Sequence, residues 1–233
     1  IMKKKPVIGI LPHYVPDDRR VHLNYTYVEA ISENGGIPLI LPIQKNISAY
    51  ISRIDGLLMS GGGPGHVSEA KKDDPYHPKL RDQNPVRYDF EAFALKKALK
   101  KGIPIIGICR GHQMIAEVLG GSISLGIKGD FPEAKNHYQT EDRNVPTHNI
   151  TINKRSRLYK ILRSGYAQVN SFHRQSVKKV PRGFIISAVS EDGIIEAMES
   201  TRRPIMGFQF HPEALTHDRG MNRVFTEFIK RCR

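Results

Sequence analysis

One cysteine in the middle of the chain lies between two glycines, in the segment Gly107-Ile108-Cys109-Arg110-Gly111. This is a cysteine version of the G-x-S-x-G nucleophile elbow, and it follows an apolar run and precedes a helix-like segment, as that motif requires. Such a turn presents the sulfur at a helix N-terminus, whose dipole favours the reactive thiolate. The segment predicts a nucleophilic thiol, and the alternative is a buried structural cysteine with incidental glycines.

A histidine and a glutamate late in the chain could activate that thiol. They lie in the segment Phe-Gln-Phe-His-Pro-Glu, as His211 and Glu213. A thiol nucleophile needs a base, and the base needs a group that orients it. We predict that His211 takes the thiol proton and returns it to a leaving amine, while Glu213 holds the other ring nitrogen. The two side chains can project to the same side if the chain stays extended through Pro212.

A glycine-rich segment, Ser-Gly-Gly-Gly-Pro-Gly over residues 60–65, follows the apolar run 56–59. Glycine lets backbone N–H groups approach a substrate closely. We predict that the N–H groups of Gly62 and Gly63 form an oxyanion hole together with that of Arg110. The alternatives are a flexible turn and a phosphate-binding loop. A P-loop needs a lysine that is missing after these glycines.

Short apolar runs alternate with amphipathic segments in the first half of the chain. The apolar runs predict strands that are covered on both faces, over residues 7–11, 37–41, 56–59 and 103–108. The intervening segments predict helices over residues 25–34, 46–53, 89–101 and 114–119. This alternation indicates parallel strands with helices on both faces of the sheet.

The second half changes character. Short strand candidates, separated by turn residues, occupy residues 148–152, 167–170, 183–189, 194–199 and 204–208. They predict an antiparallel extension of the sheet, followed by a closing helix over residues 220–231. Residues 65–87 and 126–147 are interpreted as long loops near the site. The expected fold is therefore an α/β three-layer sandwich with a mostly parallel central sheet, in one domain over residues 2–233, with Ile1 interpreted as left over from expression.

Composition narrows the classes of function. The net charge is +13, but the basic residues are scattered, so we expect a solvated basic surface and no nucleic-acid partner. No apolar run is long enough to span a bilayer, so we expect no membrane association and a cytoplasmic location. The chain has two cysteines. Cys232 lies near a chain end that we expect to fray, and a reducing compartment fits this pair.

The glycine-rich turn, the cysteine elbow and the late His-x-Glu, in that order, resemble the class I glutamine amidotransferase-like superfamily, which has a flavodoxin-like fold. Within it, the Cys-Arg-Gly of residues 109–111 and the Asn-Ser-Phe-His-Arg-Gln of residues 170–175 resemble the γ-glutamyl hydrolase branch, peptidase C26, which includes enzymes that cleave γ-glutamyl-γ-aminobutyrate. The resemblance implies a small-molecule γ-glutamyl substrate, a glutamyl thioester and no cofactor. The alternative is a glutaminase subunit that supplies ammonia to a separate synthetase partner.

The resemblance also implies a substrate pocket. Gln113 would contact the glutamyl group, and Asn170, Ser171, Phe172 and His173 would line its pocket. An amino-carboxylate needs several neutral donors and acceptors, which these residue types offer. The histidines show no ligand spacing, so no metal site is predicted. The amine on the far side of the scissile bond and the presence of a homo-oligomer are left open.

Overall fold

The structure is a computed structural model that describes residues 5–15, 19–44, 47–62 and 76–233. Its strands are β1 (Val7–Leu11), β2 (His13–Val15), β3 (Arg20–His22), β4 (Ile37–Ile40), β5 (Gly56–Met59), β6 (Ile105–Ile108), β7 (Ser122–Ser124), β8 (His148–Ile152), β9 (Tyr166–Val169), β10 (Ser176–Lys179), β11 (Phe184–Ser190), β12 (Ile195–Ser200) and β13 (Ile205–Phe208). Its helices are α1 (Tyr25–Glu33), α2 (Ser48–Ile51), α3 (Leu80–Gln83), α4 (Pro85–Lys101), α5 (Arg110–Val118), α6 (Ile127–Asp130), α7 (Arg157–Leu162) and α8 (Arg219–Arg231).

The described residues form one large sheet of eleven strands, in which nine follow the order β4-β1-β5-β6-β13-β12-β11-β8-β9. The first five of these strands run parallel, and β12, β11, β8 and β9 continue the sheet in antiparallel pairs. Strand β10 pairs with β12 and with β7. The predicted parallel sheet with an antiparallel extension is confirmed.

Helices cover both faces of the sheet because its central strands are apolar on both sides. In β6, Ile106 and Ile108 pack in a core cluster with α1, α7 and α8, whereas Ile105 packs in a second cluster with α2, α4 and α5. Successive side chains of a strand point to opposite faces, so a continuous apolar run fills two cores. The predicted three-layer sandwich is confirmed.

Two helices begin earlier than predicted, and local signals explain both. Helix α4 begins at Pro85 because the Asn84 side chain caps it, accepting from the Arg87 N–H at 3.0 Å. Helix α5 begins at Arg110 because the elbow passes directly into it. The prediction of a loop over residues 65–87 is therefore wrong from Leu80 onward, and residues 65–75 lie outside the described part.

Several short elements were not predicted. Strands β2 and β3 form a separate hairpin, and β7 and β10 add to the large sheet. Helix α6 interrupts the predicted loop 126–147, and α7 follows β8. Each has six residues or fewer, too short for a periodic pattern to be distinguished from a turn.

Strand β4 differs from the expectation that it is covered on both faces. It lies at the edge of the sheet, and Ile37, Leu39 and Ile40 are exposed. The apolar run resembles those of the buried strands, so composition alone did not distinguish an edge strand from a central one.

The chain end also differs from the expectation of fraying. Cys232 caps α8 and is buried, with its sulfur against Gly56 of β5. Burial raises the pKa of the Cys232 thiol to about 12, and the nearby Asp55 contributes. Cys232 is therefore a core residue.

Candidate active site

Cys109 lies between β6 and α5 in a backbone conformation that side chains rarely adopt, with φ 50° and ψ −103°. Such strain persists only where the surroundings enforce it, and it is common at functional sites. The two flanking glycines are needed for close packing. A Cβ on Gly107 would lie 2.6 Å from the Gly111 backbone, and a Cβ on Gly111 would overlap the Met59 carbonyl oxygen. The predicted elbow geometry is confirmed.

Substitution of Gly111 by alanine is expected to displace the elbow from β5. Because the clash is with the Met59 backbone, no side-chain rotation relieves it. We expect the free energy of unfolding to fall by about 1–3 kcal/mol, as for an overpacked core, and turnover to fall about 100-fold. Urea denaturation and a rate assay check this. The matched control is Gly165→Ala, since a Cβ at Gly165 meets open space; equal effects of the two substitutions would contradict the prediction.

His211 and Glu213 lie beside the elbow, after β13. Nδ1 of His211 is 2.7 Å from Oε1 of Glu213, both side chains are buried, and the ring lies with the Cys109 side chain against Gly61. The expected extended backbone through Pro212 is wrong, because Pro212–Ala214 forms a turn of 3-10 helix. That turn brings the Glu213 carboxylate back to the imidazole, so the predicted contact forms by a different local geometry.

Opposing effects set the protonation of His211. Burial alone lowers the pKa of the imidazole, but the negative charge of Glu213 and the bond to Cys109 outweigh it and raise the pKa to about 10. The ring is therefore held protonated at neutral pH, with its proton on Nδ1 directed at the carboxylate.

The substitution Glu213→Gln is expected to destabilise the fold in a pH-dependent way. Because the folded-state pKa of His211 lies above its unfolded value of 6.5, its contribution to stability is complete below pH 6.5 and disappears as the pH rises through about 10. The stability gap between the parent and Glu213→Gln should be a few kcal/mol near pH 6, at about 1.4 kcal/mol per pKa unit, and shrink by pH 10. Urea denaturation at several pH values measures it. The surface control Glu227→Gln should show a small gap at every pH; a gap for Glu213→Gln that does not change with pH would contradict the prediction.

The glycine-rich turn packs directly against this pair. A Cβ on Gly61 would lie 3.0 Å from Cε1 of His211 and 3.5 Å from Cβ of Cys109. Gly62 is exposed with open space around it, and the N–H of Arg110 is at the start of α5, where helical N–H groups lack acceptors. Gly63 lies outside the described residues. The oxyanion hole of Gly62, Gly63 and Arg110 stays a prediction.

A buried ion network joins the turn to the elbow. Glu91 of α4 accepts from Nε of Arg87 at 2.6 Å and from Nε of Arg110 at 3.1 Å. Arg87 also donates to the Gly61 carbonyl oxygen at 2.7 Å. All three charged side chains are buried. The network fixes the positions of the glycine-rich turn and of the residue that follows Cys109.

Most of the predicted pocket residues are bonded within the protein, whereas the Phe172 ring lies at the site. Most have polar groups that bond to the protein itself: Gln113 donates to the Gln175 carbonyl oxygen at 2.9 Å, and Ser171 donates to the His137 carbonyl oxygen at 2.8 Å. Asn170 holds the His211 backbone on both sides, accepting from its N–H at 2.8 Å and donating to its carbonyl at 3.1 Å. Asn170 therefore positions the base.

Phe172 and His173 lie on opposite sides of their loop. The ring of Phe172 meets that of His211 edge to face, with centroids 5.9 Å apart, so it is placed at the site. His173 is buried, and its Nε2 lies 3.6 Å from Oε1 of Glu196, in a separate cluster. The structure brings Phe172, but not the His173 ring, to the candidate nucleophile and base.

Other residues at the site could not be predicted, because no motif in the sequence marks them. Tyr27 of α1 is buried, accepts from the Gly61 N–H at 2.9 Å, and has a pKa raised well above 10 by burial and by the adjacent Glu213 charge. His13 and His22, from the β2–β3 hairpin, line a cleft with Gly61 and Gly62. Burial, followed by the charge of Arg87, lowers the pKa of His13 to about 4, so this ring is neutral at pH 7.

Solved structures with the same fold are glutamine amidotransferases. A protein of Thermoplasma acidophilum described as a GMP synthase subunit matches with a TM-score of 0.68 and 20% identity, over 98% of this chain and 94% of that one. A glutamine amidotransferase of Thermotoga maritima matches with a TM-score of 0.61 and 18% identity, over 90% and 77% of the two chains. The fold is therefore that of the class I glutamine amidotransferases.

Comparisons of sequence place the chain more narrowly. The peptidase C26 family matches residues 6–213. A glutamine amidotransferase-like protein of Rickettsia prowazekii is 32% identical over 98% of each chain. The γ-glutamyl-γ-aminobutyrate hydrolase of Escherichia coli K12 is 28% identical, over 97% of this chain and 93% of that one. The chain belongs to the peptidase C26 family and is a glutamine amidotransferase-like hydrolase that acts on amide bonds. Among the described residues, no helix is both long and apolar enough to cross a membrane.

Proposed function

We propose that this protein is a cysteine hydrolase of γ-glutamyl amides that works through a glutamyl thioester. One observation carries the proposal: the strained Cys109 and the His211 ring lie together against Gly61, and Nδ1 of His211 lies 2.7 Å from Oε1 of Glu213. A nucleophile, a base in contact with it and a carboxylate that orients the base are the parts that acyl transfer from an amide requires.

In the proposed reaction, the Cys109 sulfur attacks the γ-carbonyl carbon while its proton resides on His211. The negative charge on the carbonyl oxygen is stabilised by backbone N–H groups of the glycine-rich turn and of Arg110. The C–N bond then breaks, the His211 proton passes to the departing amine, and a thioester remains. Water, deprotonated by the same imidazole, cleaves the thioester, releases glutamate and restores the thiol.

Each neighbouring group has a role in that cycle. Glu213 and Asn170 hold His211 by its ring and by its backbone. Arg87 fixes the Gly61 carbonyl, and with it the peptide plane that contains the Gly62 N–H. The cleft beside Gly62 is lined by polar groups such as Asn24 and His13, whose ring is neutral at pH 7. An amide substrate with a polar amino-carboxylate end suits such a lining.

The test is glutamate release by the isolated protein. We would supply γ-glutamyl-γ-aminobutyrate, a γ-glutamyl dipeptide, a folate polyglutamate and glutamine in parallel, with Cys109→Ala as the control. The similarity to the Escherichia coli enzyme makes the first of these the first choice. Release of glutamate from an amide other than glutamine by the parent alone would support the proposal, and a thioester trapped with hydroxylamine would support its mechanism.

Two results would overturn it. Glutamate release that persists in Cys109→Ala would remove the thiol from the reaction. Release from glutamine alone, appearing only when a synthetase is added, would instead identify an ammonia-supplying subunit.

A further inference from the structure

We propose that His137, His148 and Glu196 form a binding site for one Zn²⁺ ion, separate from Cys109, with the His173 ring beside it. The four residues come from four different segments: the chain before β8, the first residue of β8, the loop between β9 and β10, and β12. Their spacing in the sequence gives no indication of a site, whereas the fold brings their donor atoms together around the Glu196 carboxylate.

The distances from one carboxylate oxygen to the surrounding ring nitrogens are close to those between the ligands of a zinc ion. Oε1 of Glu196 lies 3.4 Å from Nδ1 of His137, 3.2 Å from Nε2 of His148 and 3.6 Å from Nε2 of His173. Zinc–ligand bonds of about 2.0–2.2 Å place the corners of a tetrahedron about 3.3–3.6 Å apart. The ligand atoms of His137, His148 and Glu196 all lie within 4.8 Å of one another, and His173 is not part of that group, so three side chains are the candidate ligands.

The second nitrogens of two imidazoles have the partners that zinc-bound histidines have. Nε2 of His137 lies 3.1 Å from Oδ2 of Asp192, and Nδ1 of His173 lies 3.0 Å from the Gln175 carbonyl oxygen. Histidines that bind a metal usually donate their other N–H to a carboxylate or a backbone carbonyl, which fixes the ring and its tautomer. In both rings the other nitrogen faces Glu196, and in His137 it also lies 3.1 Å from Oγ of Ser171, a contact that a metal would replace.

Two buried polar atoms of the cluster lack a hydrogen-bond partner. They are Nε2 of His173 and Oε2 of Glu196, and both side chains are almost fully buried. Leaving buried polar atoms unpaired costs about 1–3 kcal/mol each, so such atoms in a native core call for an explanation. A zinc ion bound to the Glu196 carboxylate would neutralise its charge and could engage the unpartnered Oε2. A purely hydrogen-bonded cluster leaves that buried oxygen without a partner.

The cluster is accessible to an ion. His137 and His148 line a cavity of about 250 Å³, together with Lys135, Gln139 and Thr147. The donor set favours zinc over the hard cations, because imidazole suits zinc, whereas Mg²⁺ and Ca²⁺ prefer oxygen ligands.

The metal site would not touch substrate, but it would stabilise the segments that position the His211 ring. His173 belongs to the same loop as Asn170 and Phe172, which contact His211. The Glu196 carbonyl oxygen accepts from the Gln209 N–H at 2.8 Å, two residues before His211. A metal that joins these segments fixes the loop and the strand end that hold the imidazole.

The test is zinc binding to Cys109→Ala protein, in which the catalytic thiol cannot compete for the metal. After chelator treatment, Zn²⁺ is titrated against a competing chromophoric chelator, and Co²⁺ is titrated separately and followed by its visible absorption. We expect one Zn²⁺ per chain, intense visible bands typical of tetrahedral Co²⁺, and no comparable binding of Mg²⁺. Because the readout is binding, failure of the proposed hydrolysis would not affect it.

Variants assign the metal to the cluster. His148→Asn and Glu196→Gln should lower the zinc affinity by more than 100-fold, and Asp192→Asn by about 10- to 100-fold, as for other outer partners of zinc ligands. The exposed His217 provides the matched control, since His217→Asn should leave the affinity unchanged. His148 is partly exposed at a strand end, and circular dichroism identifies any variant that fails to fold. Absence of binding by the parent, or unchanged affinity in folded His148→Asn, would overturn the proposal.

Discussion

Substitution of Cys109 by alanine or by glycine is expected to lower kcat by about 10⁴-fold or more, to the level left by binding and backbone contacts alone. No neighbouring side chain can replace the sulfur, because His211 and Glu213 act on it and do not attack the substrate themselves. Glutamate release from the substrate that the parent cleaves measures the effect. Residual activity within 100-fold of the parent would contradict a thiol nucleophile.

The variants Cys109→Ala and Cys109→Gly should also differ in stability, and we expect the glycine variant to be the more stable of the two. Cys109 has φ 50° and ψ −103°, a conformation strained for any residue with a Cβ. Alanine keeps that Cβ, whereas glycine relieves strain of about 1–3 kcal/mol, which exceeds the usual cost of about 0.5–1 kcal/mol for replacing alanine by glycine. We expect Cys109→Gly to have the higher Tm. A lower Tm for glycine than for alanine would show that the elbow stores little strain.

Substitution of Glu91 by glutamine is expected to lower the free energy of unfolding by about 3–5 kcal/mol, because Arg87 and Arg110 would remain buried without their common anion. Burial already lowers the pKa of Arg87, and the Glu91 charge opposes that effect. Turnover should also fall by about 10- to 100-fold, since Arg87 positions Gly61 and Arg110 adjoins the nucleophile. Urea denaturation and the rate assay measure the two losses.

Helix α4 offers a matched control for Glu91. Asp89 also pairs with an arginine, Arg81, at 3.3 Å, but both side chains are 61% exposed. Asp89→Asn should therefore cost less than about 1 kcal/mol and leave turnover unchanged. If Asp89→Asn and Glu91→Gln had equal effects, burial of the ion network would not matter to the fold or to the site.

The parts of the fold and site that could be predicted are those with a local signal. Strands β1 and β5 have the predicted bounds because β1 is a short apolar run between two prolines and β5 is one between Asp55 and Ser60. The elbow could be predicted because its glycines are required by the turn itself, which follows a strand and opens a helix. Its partners His211 and Glu213 are two residues apart, so a short segment specifies their contact.

The remaining features depend on contacts between distant segments. Tyr27 meets Gly61 from a helix that carries no chemical motif, and nothing near Tyr27 in the sequence marks it. The same holds for His148 and Glu196, which are 48 residues apart and meet only because β12 and β8 lie near each other in the sheet. Long-range pairing of this kind leaves no periodic pattern in one sequence.

The burial of Cys232 makes the protein suited to active-site titration. Its thiol stays protonated at neutral pH because its pKa is about 12, and its sulfur is packed against Gly56. Iodoacetamide reacts with thiolates, so the native chain should gain one carbamidomethyl group, on Cys109, and two once it is unfolded. Intact mass spectrometry of a native sample would then count the molecules with a competent nucleophile, whichever amide they cleave.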